Sequence, residues 1–252
     1  MEGTAVPRRL SSGPRPWEVA TVTAVTTETP TVRTIGLGVR SWPGHRAGQH
    51  LDVKLTAEDG YSAERSYSIA AAADDPVAIT VERLDDGEVS PYLTEDLRVG
   101  DELEIRGPVG GYFVWETADG GPLLLVAGGS GIVPLRAILR QREHSGSDVP
   151  VKLLYSARDQ SELIYRGELD GYRDGVEIIY TLTRQQPAGW TGYTRRVDSA
   201  LLAEAAWPAG KKPLAFVCGP TSFVETVAGA LVALGYEPSR IKTERFGGMG
   251  GQ

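Results

Sequence analysis

An antiparallel six-stranded β-barrel joined to an α/β domain with a parallel sheet is the fold class this sequence predicts. Three observations carry it. From Trp17 to Val114 apolar and polar residues alternate with period two, the mark of half-buried strands. After about Trp115 apolar runs alternate with helical stretches, which is how a parallel sheet covered by helices is written. A glycine-rich turn, Gly128-Gly129-Ser130-Gly131, stands between an apolar strand and a helix start. The expected division is a disordered tail over 1–16, the barrel over 17–115, a linker ETADGG over 116–121 and the α/β domain over 122–252.

The barrel strands are read from WEVATVTAV, TVRTIGLGV, HLDVKL, RSYSIA, VAITVERL and DELEIRGPV, each bounded by Gly, Pro or Asp. One helical piece is expected over Ser90–Leu97, with Ser90 as cap and Pro91 at the first helical position. In the second half, LLLVAG, VKLLYSA, VEIIYTLT, LAFVCG and RIKTERF read as strands. PLRAILRQREH, SELIYRGELDGY, SALLAEAAW and TSFVETVAGALVALG read as the helices between them.

Composition narrows the function. The chain carries a formal charge of −7, which disfavours general binding to nucleic acid or an anionic membrane. Cys218 is the single cysteine, so no disulfide framework, zinc site or intrachain iron–sulfur cluster can be assembled, and three histidines suggest no metal site. No stretch reaches the ~18 apolar residues of a membrane helix, and the start MEGTAVPRRLSSGPRPW lacks the apolar segment of a signal peptide. A cytoplasmic protein is expected. His45 and His50 read as barrel and loop residues, and the KKP stretch at 211–213 as a solvated loop.

In GGSGIVP, Gly129 and Gly131 fill the first two places of G-x-G-x-x-G, and Pro134 stands at the third. Proline lacks an N–H and suits the first turn of a helix. A glycine turn feeding a helix N-terminus is an anion site in waiting. A plain strand–helix turn would look the same, so this stretch leaves both readings open. The next strand ends Tyr155-Ser156-Ala157-Arg158, where an NAD site would place an acid. Thr183-Arg184 ends the third strand, and Arg195-Arg196 follow in a glycine-bearing loop. Arginines after strand ends in an acidic chain favour a pocket for a 2′-phosphate.

In the barrel, Arg65, Tyr67 and Ile69 share one face of a strand, offering a cation and a flat ring two residues apart. Then follow Gly87-Glu88-Val89-Ser90, GGSGIVP, Cys218-Gly219-Pro220 and Glu244-Arg245-Phe246. In that order and spacing, from about Trp17 to Phe246, the chain resembles the ferredoxin–NADP⁺ reductase family of flavoproteins. The resemblance implies FAD in the barrel and NADP(H) in the α/β domain. It implies that Arg65 binds the FAD pyrophosphate, Tyr67 stacks on the flavin and Ser68 bonds near flavin N5. It implies pyrophosphate donors over Gly87, Val89 and Ser90, with Phe246 packed on the flavin ring. Gly129, Ser130 and Gly131 would hold the NADP(H) pyrophosphate, with Arg158, Thr183, Arg184 and Arg196 around the 2′-phosphate. Cys218, Gly219 and Pro220 would lie under the nicotinamide, and Glu244 at the nicotinamide–flavin contact; Ser68, Cys218 and Glu244 are the implied catalytic set.

The implied activity is an FAD-dependent oxidoreductase that takes hydride from NADPH and passes electrons to a separate acceptor: ferredoxin, flavodoxin or a partner redox enzyme. The cysteine-rich segment of ferredoxin-fused relatives and the C-terminal cysteine cluster of the dihydroorotate dehydrogenase electron-transfer subunit have no counterpart here. Two other readings are a reductase of a small acceptor (ferric siderophore, free flavin or quinone) and a non-catalytic nucleotide-binding adaptor. The GGMGGQ stretch after Phe246 is expected to be frayed.

Overall fold

The computed structural model describes residues 15–246. The GGMGGQ stretch, and all but the last two residues of the expected 1–16 tail, lie outside them.

The six period-two stretches form β1 (Glu18–Thr29), β2 (Val32–Val39), β3 (His50–Thr56), β4 (Ser62–Ser68), β5 (Ala78–Glu82) and β6 (Glu102–Val109). They pair in the order β4-β3-β6-β1-β2-β5, with antiparallel ladders throughout. A bridge between Ile69, just past β4, and Ile79 in β5 brings the outer strands together and closes the barrel. Closure removes the exposed strand edges. The inward member of each alternation fills the interior: Val22, Ile35, Leu51, Ile79 and Ile105 are essentially inaccessible.

The second half holds β7 (Leu123–Gly128), α1 (Ile132–His144), β8 (Val151–Ala157), α2 (Arg166–Leu169), β9 (Val176–Leu182), α3 (Ser199–Ala205), β10 (Leu214–Pro220), α4 (Thr221–Ala233) and β11 (Ile241–Phe246). The strands are parallel in the order β11-β10-β7-β8-β9. β7 is central, so all six of its residues are buried and it reads as an unbroken apolar run. Leu125 and Ala127 pack toward α1, whereas Leu124 and Val126 pack toward α3 and α4. From β7 the chain steps first to β8 and β9, then returns to β10 on the other side. Such a reversal opens a crevice at the carboxyl ends of the strands.

Two local expectations are corrected. Ser90 does not cap a helix: its hydroxyl accepts the Leu84 N–H at 3.0 Å and closes the preceding loop on itself, and the short helix at Tyr92–Asp96 is a π-turn. The hydroxyl takes the nearest unpaired donor, and here that donor precedes it in the chain. The helix expected near SELIYRGELDGY shrinks to a 3₁₀ turn at Gln160–Glu162 and the four-residue α2. Tyr165, at φ 60°, interrupts the run between them.

The barrel packs on the α1 side of the sheet. Phe113 meets Phe216 of β10 edge-on at 5.2 Å, and Lys242 of β11 donates to the Val114 carbonyl at 2.7 Å. Gly131 sets how closely α1 approaches β10: a Cβ there would lie 2.1 Å from the Cys218 carbonyl oxygen and 2.8 Å from the Gly219 nitrogen. Both obstacles are backbone, so neither can swing away. Gly131→Ala is expected to destabilise the fold by about 1–3 kcal/mol, read as a lower denaturant midpoint. Gly229→Ala, in α4 where an added Cβ meets nothing within 4 Å, is the control and should stabilise slightly.

Candidate active site

The register of the parallel sheet assembles the site. Cys218 lies beside Ala127 on one side and Glu244 on the other. Gly128 lies beside Ser156, and Ala157 beside Leu182. The carboxyl ends of β7, β8, β10 and β11 therefore meet in one place. At the end of β7 the chain turns through Gly129, at φ +55° with open space where a Cβ would be, and a 3₁₀ turn over Gly129–Gly131 leads into α1. Pro134 is the third residue of α1, in the first turn as its chemistry requires. A glycine turn at a helix start presents unpaired N–H groups and a partial positive charge, the arrangement that suits a phosphate.

A cleft of about 620 Å³ runs from this turn into the barrel. The barrel lines it with Tyr67, Ser68 and the loop from Gly87, and the second domain lines it with Gly129, Ser130 and Phe246. Tyr67 is half-buried, and burial pushes its hydroxyl up to about 12, so the ring is a neutral flat surface. Arg65 stands at the rim, where its guanidinium meets the Glu88 carboxylate at 2.5 Å; the other Glu88 oxygen accepts the Tyr61 hydroxyl at 2.6 Å. Gly87 belongs to a turn too tight for a side chain, since a Cβ would lie 2.8 Å from Ser90 Oγ. Val89 borders the cleft, while its side chain is fully buried in the barrel core.

Beneath the cleft, Cys218 and Glu244 are neighbours on adjacent strands. Burial and the nearby Glu244 carboxyl push the Cys218 thiol up, which keeps it protonated and a poor nucleophile. Burial also pushes the Glu244 carboxyl up to about 7, and its Oε2 is buried without a hydrogen-bond partner. A carboxyl titrating near neutrality changes its protonation across the physiological range.

The predicted residues divide by position. Arg65, Tyr67, Ser68, Gly87, Val89, Ser90, Gly129, Ser130, Arg158, Thr183, Pro220 and Phe246 line the cleft. Gly131, Cys218 and Gly219 are buried and Glu244 is half-buried, and none of the four is among the lining residues. Arg184 and Arg196 are exposed and are not among the lining residues. Arg184 is tied to the rim through its backbone, donating to the Arg158 carbonyl at 2.8 Å. The Arg158 side chain approaches Glu162 at 3.8 Å. The KKP stretch precedes Leu214, at the opposite end of β10 from the cleft. Sequence reasoning missed Thr80, Ser156 and Phe223, which also line the cleft. The Phe223 ring lies so close to Gly128 and Gly219 that a Cβ on either would meet it at 3.0 or 2.8 Å. Its signal was present: an aromatic three residues past the strand-end proline falls on the first turn of α4.

A barrel that offers a flat phenol and an arginine at its rim, facing the switch point of a parallel sheet, defines a two-domain flavin- and dinucleotide-binding oxidoreductase. Residues 20–114 match the oxidoreductase FAD-binding domain and residues 125–229 the oxidoreductase NAD-binding domain. The chain belongs to the ferredoxin–NADP⁺ reductase-like family of flavoprotein oxidoreductases. It is 31% identical over 210 residues to the glycine betaine monooxygenase reductase subunit of Chromohalobacter salexigens, covering 80% of this chain and 56% of that one. It is 30% identical over 239 residues to the ferredoxin reductase component of 3-ketosteroid-9-alpha-monooxygenase from Rhodococcus rhodochrous, covering 92% and 66%. The chain thus spans little more than half the length of the first of these curated relatives and about two thirds of the second. The FAD/NAD-binding domain of the Vibrio cholerae nitric oxide dioxygenase superposes with a TM-score of 0.82 at 25% identity, covering 92% of this chain and 99% of that one. The Neisseria gonorrhoeae ferredoxin NADP⁺ reductase, with a TM-score of 0.79 at 21% identity over 91% and 98%, shares the fold.

The residues fit the groups this family binds, FAD and a nicotinamide dinucleotide. The open Gly129 turn suits a pyrophosphate and the Tyr67 ring a flat heterocycle. The flavin and nicotinamide supply the hydride chemistry when bound, and the protein supplies alignment and electrostatics.

The Glu244 carboxyl has a working sign. Its folded pKa of about 7 lies above the ordinary 4.5. Its contribution to stability is full below about pH 4.5 and is lost as pH rises through about 7. Glu244→Gln stays neutral at every pH. Thermal unfolding in pH steps should show the wild-type midpoint falling across this interval and the variant following a flatter curve. Parallel curves would refute the assignment.

Proposed function

We propose that this chain is an FAD-dependent reductase that takes hydride from NADPH and delivers electrons to a separate acceptor, a ferredoxin, a flavodoxin or a partner redox enzyme. The observation that carries the reading is the single cleft in which Tyr67 and Ser68 of the barrel face Gly129, Ser130 and Pro220 of the sheet. Hydride transfer needs two rings in contact, and one cleft lined by both domains can hold them so. The relatives' names support the rest. They are a monooxygenase reductase subunit, a ferredoxin reductase component and, in Pseudomonas putida, a toluate 1,2-dioxygenase electron transfer component.

In this reading Arg65 and the Gly87–Ser90 loop, including Val89, hold the FAD pyrophosphate, Tyr67 and Phe246 pack on the flavin, and Ser68 bonds near N5. Gly129 and Ser130 take the coenzyme pyrophosphate, Gly131 lets α1 come close enough to present it, and Cys218, Gly219 and Pro220 form the floor under the nicotinamide. Arg158, Thr183, Arg184 and Arg196 select the 2′-phosphate. Arg158 and Arg184 follow neighbouring strands and are joined by a backbone hydrogen bond, which keeps their backbones adjacent at the rim of β8.

The acceptor test is cytochrome c reduction by the FAD-loaded protein and NADPH. The expected result is slow reduction that rises steeply on adding a ferredoxin or flavodoxin. Equal rates with and without carrier, together with fast reduction of free flavin or quinone, would move the assignment to a small-acceptor reductase. For the coenzyme, Arg158→Ala with Arg184→Ala should raise the KM for NADPH about tenfold, roughly 1.4 kcal/mol, and leave that for NADH nearly unchanged. An equal effect on both coenzymes would reject the phosphate pocket.

A further inference from the structure

We propose that Arg136 is a positioning residue for hydride transfer, pinning the helix that begins at the dinucleotide turn to the backbone just past the flavin strand. The proposal rests on the functional reading above, in which α1 presents the coenzyme and β4 the flavin. Arg136 is the fifth residue of α1 and only 8% exposed. A guanidinium this buried needs full pairing, and each side of this one is engaged. Nη1 donates to the Ala70 carbonyl at 2.6 Å, two residues beyond Ser68. Nε and Nη2 fork onto the Glu168 carboxylate of α2 at 2.9 and 2.6 Å. The guanidinium carbon lies 4.3 Å from the centre of the Tyr165 ring, and the Tyr165 hydroxyl bonds Thr80 of β5 in the barrel.

The same helix face repeats the contact. Arg140, one turn on, shares Glu168 at 2.7 Å and reaches Asp75 at 3.3 Å, and Gln141 accepts the Ala73 N–H at 3.0 Å. Ala70, Ala73 and Asp75, the chain that leaves β4, are thus held by three residues of the helix that leaves the glycine turn. Burial works against the charged form of Glu168, but the hydrogen bonds from Arg140 and Arg136 outweigh it and hold its carboxyl below the ordinary range. A buried ion pair is a poor source of stability against an apolar alternative. What the planar fork supplies is orientation. Domains joined by a polar interface move by default, and a misplacement of about 1 Å between reacting groups costs about 100-fold in rate. A rigid link from the coenzyme helix to the flavin strand removes that freedom.

The test uses the full-length, FAD-loaded protein carrying Arg136→Met, Arg136→Lys or Glu168→Gln. Stopped-flow flavin reduction at saturating NADPH gives the limiting rate, and titration with NADP⁺ gives the coenzyme Kd. FAD content and thermal midpoint are recorded alongside. The long-wavelength absorbance that appears when reduced flavin and NADP⁺ stack reports ring contact. The expected result for Arg136→Met is a limiting rate about 10- to 100-fold lower and loss of the long-wavelength band, with Kd and FAD content nearly unchanged. Arg136→Lys, which keeps the charge and loses the fork, should stay low, and Glu168→Gln should fall between. A limiting rate and band like wild type in a less stable protein would make Arg136 merely structural and overturn the proposal. If Arg136→Met does not fold, Glu168→Gln decides on the same two readouts. Wild-type flavin that neither coenzyme reduces would instead refute the underlying functional reading.

Discussion

The contact between Gly131 and the backbone at Cys218 and Gly219 is the constraint on which the rest of the site depends. It lets the start of α1 touch the end of β10 at a distance that no side chain would permit. Through it the glycine turn, the CGP corner and, by register, Glu244 on β11 share one spot at the sheet's carboxyl edge. In the common dinucleotide fingerprint the third glycine allows close helix–strand packing. Here Gly131 takes that task one turn earlier, and this is how Pro134 can occupy the third place without cost.

The second requirement is that the barrel be held over this spot. The interface has two parts of different chemistry. Phe113 against Phe216 and Lys242 on the Val114 carbonyl fix the barrel over β10 and β11. The arginines of α1 fix the chain leaving β4. The directional bonds set the angle at which the two domains meet. Glu244 on β11 keeps one buried oxygen unpartnered, the sort of polar strain that a functional site retains and a stable core removes.

Much of this was legible in the sequence because it is local. Period two revealed all six barrel strands, and the unbroken LLLVAG run announced a central strand. The glycine turn was visible because backbone chemistry dictates the residue type, whereas the CGP corner stood out only through the family resemblance. What was not legible depends on direction or on distance along the chain. Arg158 and Arg184 follow strand ends and Arg196 lies in a loop, yet only Arg158 lines the cleft, because sequence position does not say where an exposed side chain points. Ser90 looked like a cap, but a hydroxyl chooses among nearby donors and found Leu84. Arg136 and Glu168 lie too far apart in sequence for any periodic pattern to pair them. Each alone reads as a surface charge on a helix, and only the folded chain shows that they pair.

The measurement that tests the account most directly is anaerobic. The visible spectrum of the purified protein is recorded, NADPH or NADH is added, and the flavin bands are followed. A single cleft that brings both rings together predicts a yellow protein whose bands bleach on adding coenzyme, faster with NADPH. A colourless protein that takes up no added FAD, or a flavin that neither coenzyme reduces, would contradict it.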